Sequence, residues 1–431
     1  MNELTLTATG DTFLTRRHPS TDLLSFQNVK NIISQGDVRF TNLEVTLHNQ
    51  EGFPSAFSGG TWAMASPSVL EDLKAYGFNI LAWANNHTMD YSYGGLFATK
   101  RYIEEYGFLH AGVGKNLHEA SRPVYLETPN GRVALISATS TFHESWRAGE
   151  SRPDTIGRPG INPLRFESLH YVKESDIEVL KNIALRTDVN AKRNLDIQEG
   201  FEVEENDFFF GSLRFAKAQS YAQETNPYKK DLYRIIKRIK EARRQADYVL
   251  VSIHSHEMKG ANKELSADFF EKAARKFIDE GADVILGHGP HILRGIEIYK
   301  NRPIFYSLGN FIFQNDSIET LPSDFYEKYQ LTSDANVADA IDKRSENNTI
   351  GLGTNPKVWK SIIPVLKMDG KGLVEFNIYP IELGYGQKRY NRGWPSLSTD
   401  TTIIEELQLL SLPYGTKINI EDGKGKFVLE S

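Results

Sequence analysis

An α/β fold on a largely parallel sheet is predicted by two features of this sequence. Strand-like and helix-like segments alternate through residues 1–145, and several short apolar runs each stop at Asp, Glu, Asn or His. Alternation of this kind places a helix in each crossover and so makes the strands parallel. Ligands of open α/β sheets bind just beyond the carboxyl ends of the strands, which gives the polar stops a shared meaning.

Leu4 to Thr9 is rich in β-formers and ends at Gly10 and Asp11; Asp37 to Phe40 leads into Asn42 and Glu44. Pro67 to Tyr76 reads as a helix, with Ser66 as its N-cap, Pro at the first helical position and Gly77 as the stop. Asn79 to Ala84 is a strand ending at Asn85, Asn86 and His87, with Asp90 close behind. Gly94 to Tyr106 carries apolar residues at helical spacing and ends at Gly107, and Arg132 to Ala138 is a strand.

Residues 150–227 separate two core strands and are too long for a plain connection, so they are expected to form an insertion or lid. Within them Lys173 to Leu185 is helical, and the aromatic run Phe208 to Phe210 reads as local packing in preference to a ligand platform. The rhythm resumes with a charged amphipathic helix, Lys229 to Ala246, and the strand Tyr248 to Ile253, which ends at His254, His256 and Glu257. A helix from Ala267 to Glu280 is expected behind Ser266 as its cap. The buried strand Gly281 to Leu286 then ends in a Gly/Pro-rich loop bearing His288 and His291, and Arg302 to Ser307 is the next strand. Residues 315–360 read as a polar, irregular, solvated surface, and Ser361 to Lys367 with Leu373 to Leu383 as a hairpin around Asp369 to Gly372.

Composition narrows the function. A chain of 431 residues exceeds one ordinary core, so one large elaborated domain or two domains are expected. Hydrophobic content of 40% and charged content of 25% belong to a globular protein. Fifty basic against 56 acidic residues, with no long basic run, argue against nucleic acid or an anionic membrane as partner. The lack of cysteine removes disulfides, thiolate nucleophiles and sulfur-ligated zinc. With no signal peptide or transmembrane segment legible, a cytoplasmic location is the expectation.

A single Asp or His after a strand is usually a turn former or a hydrogen-bonded loop residue. Repetition at one topological place is what points to a metal site. Oxygen and imidazole ligands without sulfur suit Mn, Fe or Zn. Two such ions about 3.5–4 Å apart can activate water for hydrolysis. In the run Asn85 to Asp90, an amide oxygen ligand stands beside a His able to donate a proton, although the two Asn side chains also suit a left-handed turn. Arg16 and Arg17 follow the first strand closely enough to pair with a phosphate or glutamyl carboxylate, or equally to be exposed helix residues.

Taken together, Thr9 to Thr15, Asn42 to Glu44, Asn85 to Asp90, Ala111 to Gly114, Ile253 to Glu257, Gly287 to His291 and Tyr306 to Phe311 resemble the CapA family, the capsule and poly-γ-glutamate synthesis proteins of bacteria. The likeness runs from about residue 5 to 315. That family is related to the calcineurin-like metallophosphoesterases. The resemblance implies a four-layer αββα sandwich, with a core over residues 1–315 and residues 316–431 completing the same domain. It implies Asp11, Glu44, Asn86, His254, His288 and His291 as ligands of two divalent ions, and His87 with Asp90 as catalytic residues. Arg16, Arg17, Asn42, His256 and Asn310 are the expected substrate contacts. Phe13 stands where the metallophosphoesterases carry a His, and Gly289 and Pro290 widen the last His pair.

The implied activity is a metal-dependent hydrolase or transferase of capsule or poly-γ-glutamate metabolism. It would act through metal-activated water on a phosphoester or γ-glutamyl amide. The alternative is a non-catalytic polyanion-binding or assembly protein serving a cell-envelope synthesis partner. Relatives tied to capsule synthesis commonly carry an N-terminal membrane anchor.

Overall fold

In the computed structural model, which describes residues 3–427, the chain is a mixed α/β protein with two large sheets. The first sheet has parallel strands Leu4–Phe13, Val38–Leu43, Ile80–Ala82 and Leu109–Ala111. Its other side is antiparallel: Lys360–Asp369 pairs with the first strand and Gly372–Glu382 with Lys360–Asp369. The second sheet runs in the order Ile296–Tyr299, Arg302–Phe305, Val284–His288, Tyr248–His254, Gly131–Thr139, Val124–Thr128. Its four central strands are parallel and its two edges antiparallel. The expected parallel core is therefore flanked by hairpins, whose tight turns need no crossover helix.

The apolar runs are continuous because both faces of their strands are covered. Leu135, Leu250 and Leu286 pack with Leu6, Phe40 and Ile80 of the first sheet. Their neighbours Ile136, Val251 and Ile285 point the other way, against Ile235 and Ile239 of the helix Lys229–Arg243 and Phe270 and Phe277 of Asp268–Asp279. On the outer face of the first sheet, Leu43 and Leu81 meet Phe26, Val29 and Ile33 of the helix Leu24–Ile33 and Leu73 of Leu70–Tyr76.

Several local expectations are refined. The first strand runs through Asp11 to Phe13, with an irregularity between Ala8 and Asp11 that re-aims the chain at its polar end. Gly10 is required there, since a Cβ would lie 1.9 Å from the Gly309 carbonyl oxygen. Ser66 caps a 3-10 turn, Pro67–Val69, which leads into Leu70–Tyr76 and stops at Gly77 with φ of 94°. Ser266 is not a cap: it ends the strand Asn262–Ser266, and Ala267 precedes the helix without a side-chain bond. Phe208–Phe210 is an edge strand of a separate four-stranded sheet built with Leu213–Lys217, Phe166–Val172 and Ala222–Pro227.

Residues 315–360 are not the irregular solvated surface their composition predicts. They hold the helices Ser323–Lys328 and Val337–Arg344, the second opened by an Asn336 capping box. Phe325, Ala340 and Ile341 build a small core with Trp62 and Tyr91. Helices this short carry too few apolar positions for a period to register in sequence. Among the described residues, no helix is long and apolar enough to cross a membrane.

One buried ion cluster ties the separate four-stranded sheet to the main body. Asp231 is fully buried and accepts from Arg165 Nε at 2.7 Å, Arg165 Nη2 at 2.9 Å and Arg234 Nη1 at 2.6 Å. Burial alone would raise this carboxyl, but the bonds from Arg165 and the charge of Arg234 hold it below its ordinary value. Removing one partner of such a cluster costs about 3–5 kcal/mol, and Asp231→Asn is expected to lose that much in urea unfolding at neutral pH. Because the folded pKa is depressed, the contribution is complete above the unfolded value of about 3.9 and fades as pH falls through the folded one. The gap between wild type and variant must therefore narrow in acid.

Candidate metal centre

Strand register assembles the polar ends. Asp11 lies in register with Asn42 on one side and Asn310 on the other. In the second sheet His254 is directly opposite His288. The loop after Val284–His288 then turns through His291, whose φ of 59° is left-handed, and Asn310 Oδ1 holds the His291 Nδ1 at 2.9 Å.

The side chains converge. Asp11 Oδ1 lies 3.6 Å from His254 Nδ1 and 3.4 Å from His288 Nδ1, and Asp11 Oδ2 lies 3.8 Å from His291 Nδ1. Glu44 Oε1 is 3.6 Å from His254 Nε2, and its Oε2 is 3.8 Å from His291 Nδ1. Three overlapping sets each have ligand atoms within 4.8 Å of one another: Asp11, His254 and His288; Glu44, His254 and His256; Asp11, Glu44 and His291. Buried Asp, Glu and His groups here are able to bind a metal.

The surrounding bonds orient these groups. Asp11 accepts from Asn42 Nδ2 and from the Gly289 N–H, both at 2.8 Å. Ser252 Oγ holds His288 Nε2 at 2.7 Å, which turns Nδ1 toward Asp11. Glu44 is different: both of its oxygens are buried without a hydrogen bond. Burial pushes its carboxyl well above the ordinary value, and repulsion from Asp11 and Asp90 adds to this. Burial would also raise Asp11, yet bonds from His254 and His288 hold it well below. Burial lowers His254 and His291 to about 4, so these imidazoles are neutral near pH 7 and keep a lone pair to offer, and burial likewise depresses His256 well below its ordinary value.

Asn86 donates to the Gly59 carbonyl at 2.9 Å while its own Oδ1 is buried and unpartnered. His87 Nδ1 is 2.7 Å from Asp90 Oδ2, and Asp90 also accepts from the N–H groups of Gly59 and Ala63. Asp90 is thus spent on orienting His87. A cavity of about 350 Å³ opens beside the cluster and is reached by Phe13, His87, His256, His291 and Phe313. None of residues 150–227 lines it.

The expected substrate contacts divide. His256 lines the cavity, with Nε2 3.0 Å from His254 Nε2. Asn42 and Asn310 stand behind Asp11 and His291 as hydrogen-bond supports. Arg16 and Arg17, expected to face the cleft, do not line the cavity. Arg16 bonds the carbonyls of Tyr390 and Arg392, and Arg17 pairs with Glu71 and Asp72. The helix Leu70–Tyr76 supplies those carboxylates, so proximity in sequence did not translate into direction. Three basic residues that do line the cavity, Lys263, Arg344 and Arg392, carry no motif by which sequence reasoning would have found them.

Fold and site together define a mixed α/β protein with a buried Asp/Glu/His cluster of metal-binding type. The model of the bacterial capsule synthesis protein PGA_cap matches residues 5–315, and the chain belongs to that family. It is 37% identical to the uncharacterized protein y4sH of Sinorhizobium fredii over 98% of this chain and 92% of that one. It is 25% identical to the capsule biosynthesis protein CapA of Bacillus anthracis, over 79% of this chain and 67% of the other. A solved structure of a hypothetical protein from Thermus thermophilus overlaps 88% of this chain and 99% of its own, at 10% identity and a TM-score of 0.39.

The Ser252 bond yields a specific expectation. Loss of a group that orients a metal-binding His typically costs about 10–100-fold in metal affinity. Ser252→Ala is expected to weaken Mn²⁺ or Zn²⁺ binding by that factor in a calorimetric titration, and to cost the metal-free protein about 1–3 kcal/mol for the buried hydrogen bond lost.

Proposed function

We propose that this chain is a CapA-like metal-dependent hydrolase or transferase of capsule or poly-γ-glutamate metabolism, with the four-layer core of a calcineurin-like metallophosphoesterase. The observation that carries the reading is Glu44. It is a fully buried carboxylate with both oxygens unpartnered, beside a second buried carboxylate, Asp11. Among the described residues neither forms an ion pair with Lys or Arg; the basic side chains near them are histidines, of which burial keeps His254 and His291 uncharged. Such a pair is costly to bury unless a cation joins it.

The donor set fits a divalent ion. Oxygen and imidazole groups without sulfur suit Mn, Fe or Zn. Asp11, Glu44, Asn86, His254, His288 and His291 are the residues that would hold two ions, with His256 as an additional donor. When bound, such ions supply Lewis-acid polarisation of a phosphoryl or carbonyl oxygen and activation of water.

The chain's own residues do the rest. His87, kept in one orientation by Asp90, reaches the cavity and is placed to give a proton to a leaving oxygen or nitrogen. Phe13 packs edge-on against the His87 ring at 5.1 Å and fixes its position from the other side. Phe13 and Phe313 make part of the cavity wall apolar and so limit water around the reacting group. The substrate class that matches is an anionic phosphoester or a γ-glutamyl amide, with cell-envelope synthesis enzymes as partners.

The test is metal content of the full chain followed by turnover on a panel of phosphoester and γ-glutamyl substrates. His87→Ala should keep its metal and lose about 10²–10⁴-fold in turnover, whereas Glu44→Gln should lose metal and activity together. Turnover that survives both substitutions would remove this cleft from the reaction. Metal without any turnover would favour a polyanion-binding or assembly protein. Chelation provides a second check: an ion present at 100 times its Kd adds about 2.7 kcal/mol of stability, so EDTA should lower the melting temperature of wild type and leave Glu44→Gln nearly unchanged.

A further inference from the structure

The cavity beside the cluster has a charge imbalance that the metal centre does not use. Part of its wall comes from residues between 341 and 353 and from Arg392, all beyond the region 5–315 matched by the family model. Of its charged lining residues, Arg392 is already neutralised, with Nε 3.0 Å from Asp316 Oδ2. Lys263 and Arg344 are not. Among the described residues neither has a carboxylate within ion-pair distance.

Their surroundings make this costly. Lys263 is half-buried next to His256 and His291, and burial together with the charge of Arg294 depresses its ammonium. Arg294 is fully buried and bonds the backbone carbonyls of Lys263, Ser255 and His256, which ties the strand Asn262–Ser266, bearing Lys263, to the segment that carries His256. Arg344 donates through Nη1 to Thr61 Oγ1 at 2.6 Å and lies over the Phe325 ring at 5.7 Å; Asp316 acts on it only at longer range. One donor of its guanidinium is thus anchored and the remainder stay available. Unmatched cations on the wall of a pocket concentrate positive potential inside it.

We propose that this cavity is a subsite for a second oxyanion of the substrate, a carboxylate or phosphate remote from the reacting bond, gripped between Lys263 and Arg344. This rests on the hydrolase reading only for calling the ligand a substrate. The volume of about 350 Å³ suits a small anionic moiety, since ligand pockets begin at about 300 Å³. The cavity also reaches His87, so an anion held by Lys263 and Arg344 would keep the rest of the molecule in the same cavity as that imidazole. Lys263 contributes a compact charge and Arg344 a directional fork, a pair that recognises an oxyanion rather than a neutral polar group.

The experiment is calorimetric titration of the full, metal-loaded chain with tri-γ-glutamate and, separately, inorganic phosphate, for wild type, Lys263→Met and Arg344→Gln. Metal content and melting temperature are measured on the same samples. Each substitution should weaken binding by about tenfold or more, the worth of one charge-assisted hydrogen bond, with metal content unchanged. Lys263→Arg and Arg344→Lys should recover part of the loss, which separates a charge requirement from misfolding. Whichever probe responds identifies the oxyanion as carboxylate or phosphate. The proposal is overturned if either neutral variant binds both probes within about twofold of wild type, or if wild type binds neither at millimolar concentration. A chain that proves metal-free or inactive, yet whose probe binding depends on both residues, would end the hydrolase reading and leave this subsite standing.

Discussion

Two carboxylates buried side by side, with no Lys or Arg paired to either among the described residues, set the terms for the rest of this molecule. Asp11 is stabilised as an anion by the Asn42 amide and the Gly289 N–H, whereas Glu44 has no hydrogen bond at all. The asymmetry has a physical reading: one carboxylate is organised in advance, and the other is left open to a ligand that brings positive charge. Burial keeps the nearby imidazoles neutral, so they add lone pairs and no competing protons. The free energy of binding a cation to groups gathered by folding would add to the stability of the fold.

Sheet register delivers this arrangement across distant parts of the chain. Parallel pairing puts His254 level with His288, and the two neighbours of Asp11 level with it. A slip of one residue would send each of these side chains to the opposite face. Register is protected because both faces of the central strands are buried, as the alternate placing of Leu250 and Val251 in different apolar clusters shows. Close backbone approach at Gly10 and Gly309 seals the junction where the first strand meets Asn310–Phe313.

Much of this was legible in the sequence, for reasons that can be traced to particular residues. Short runs of aliphatic and β-branched residues ending in Asp11, His254 or His288 announce both a strand and its polar end. Ser66, Pro67 and Gly77 mark a helix by backbone chemistry alone. What stayed hidden depends on long-range direction. Nothing local told that Arg17 would turn to Glu71 and Asp72, nor that Asp90 would face His87 instead of the cavity. The wall over residues 341–353 was hidden for another reason: its short helices have few apolar positions, and its Arg344 looks like any surface Arg until Thr61 and Phe325 are seen beside it.

That wall stands on a small core of its own, where Phe325, Ala340 and Ile341 pack with Trp62 and Tyr91 apart from the three larger clusters. Substitutions at Phe325, Ala340 or Ile341 fall first on this small core, whereas Ile318, Leu321 and Leu352 of the same stretch pack into the larger cluster against the first sheet. The rim of the cavity thus rests partly on a few side chains that lie apart from the strand ends gathering Asp11, Glu44 and the histidines.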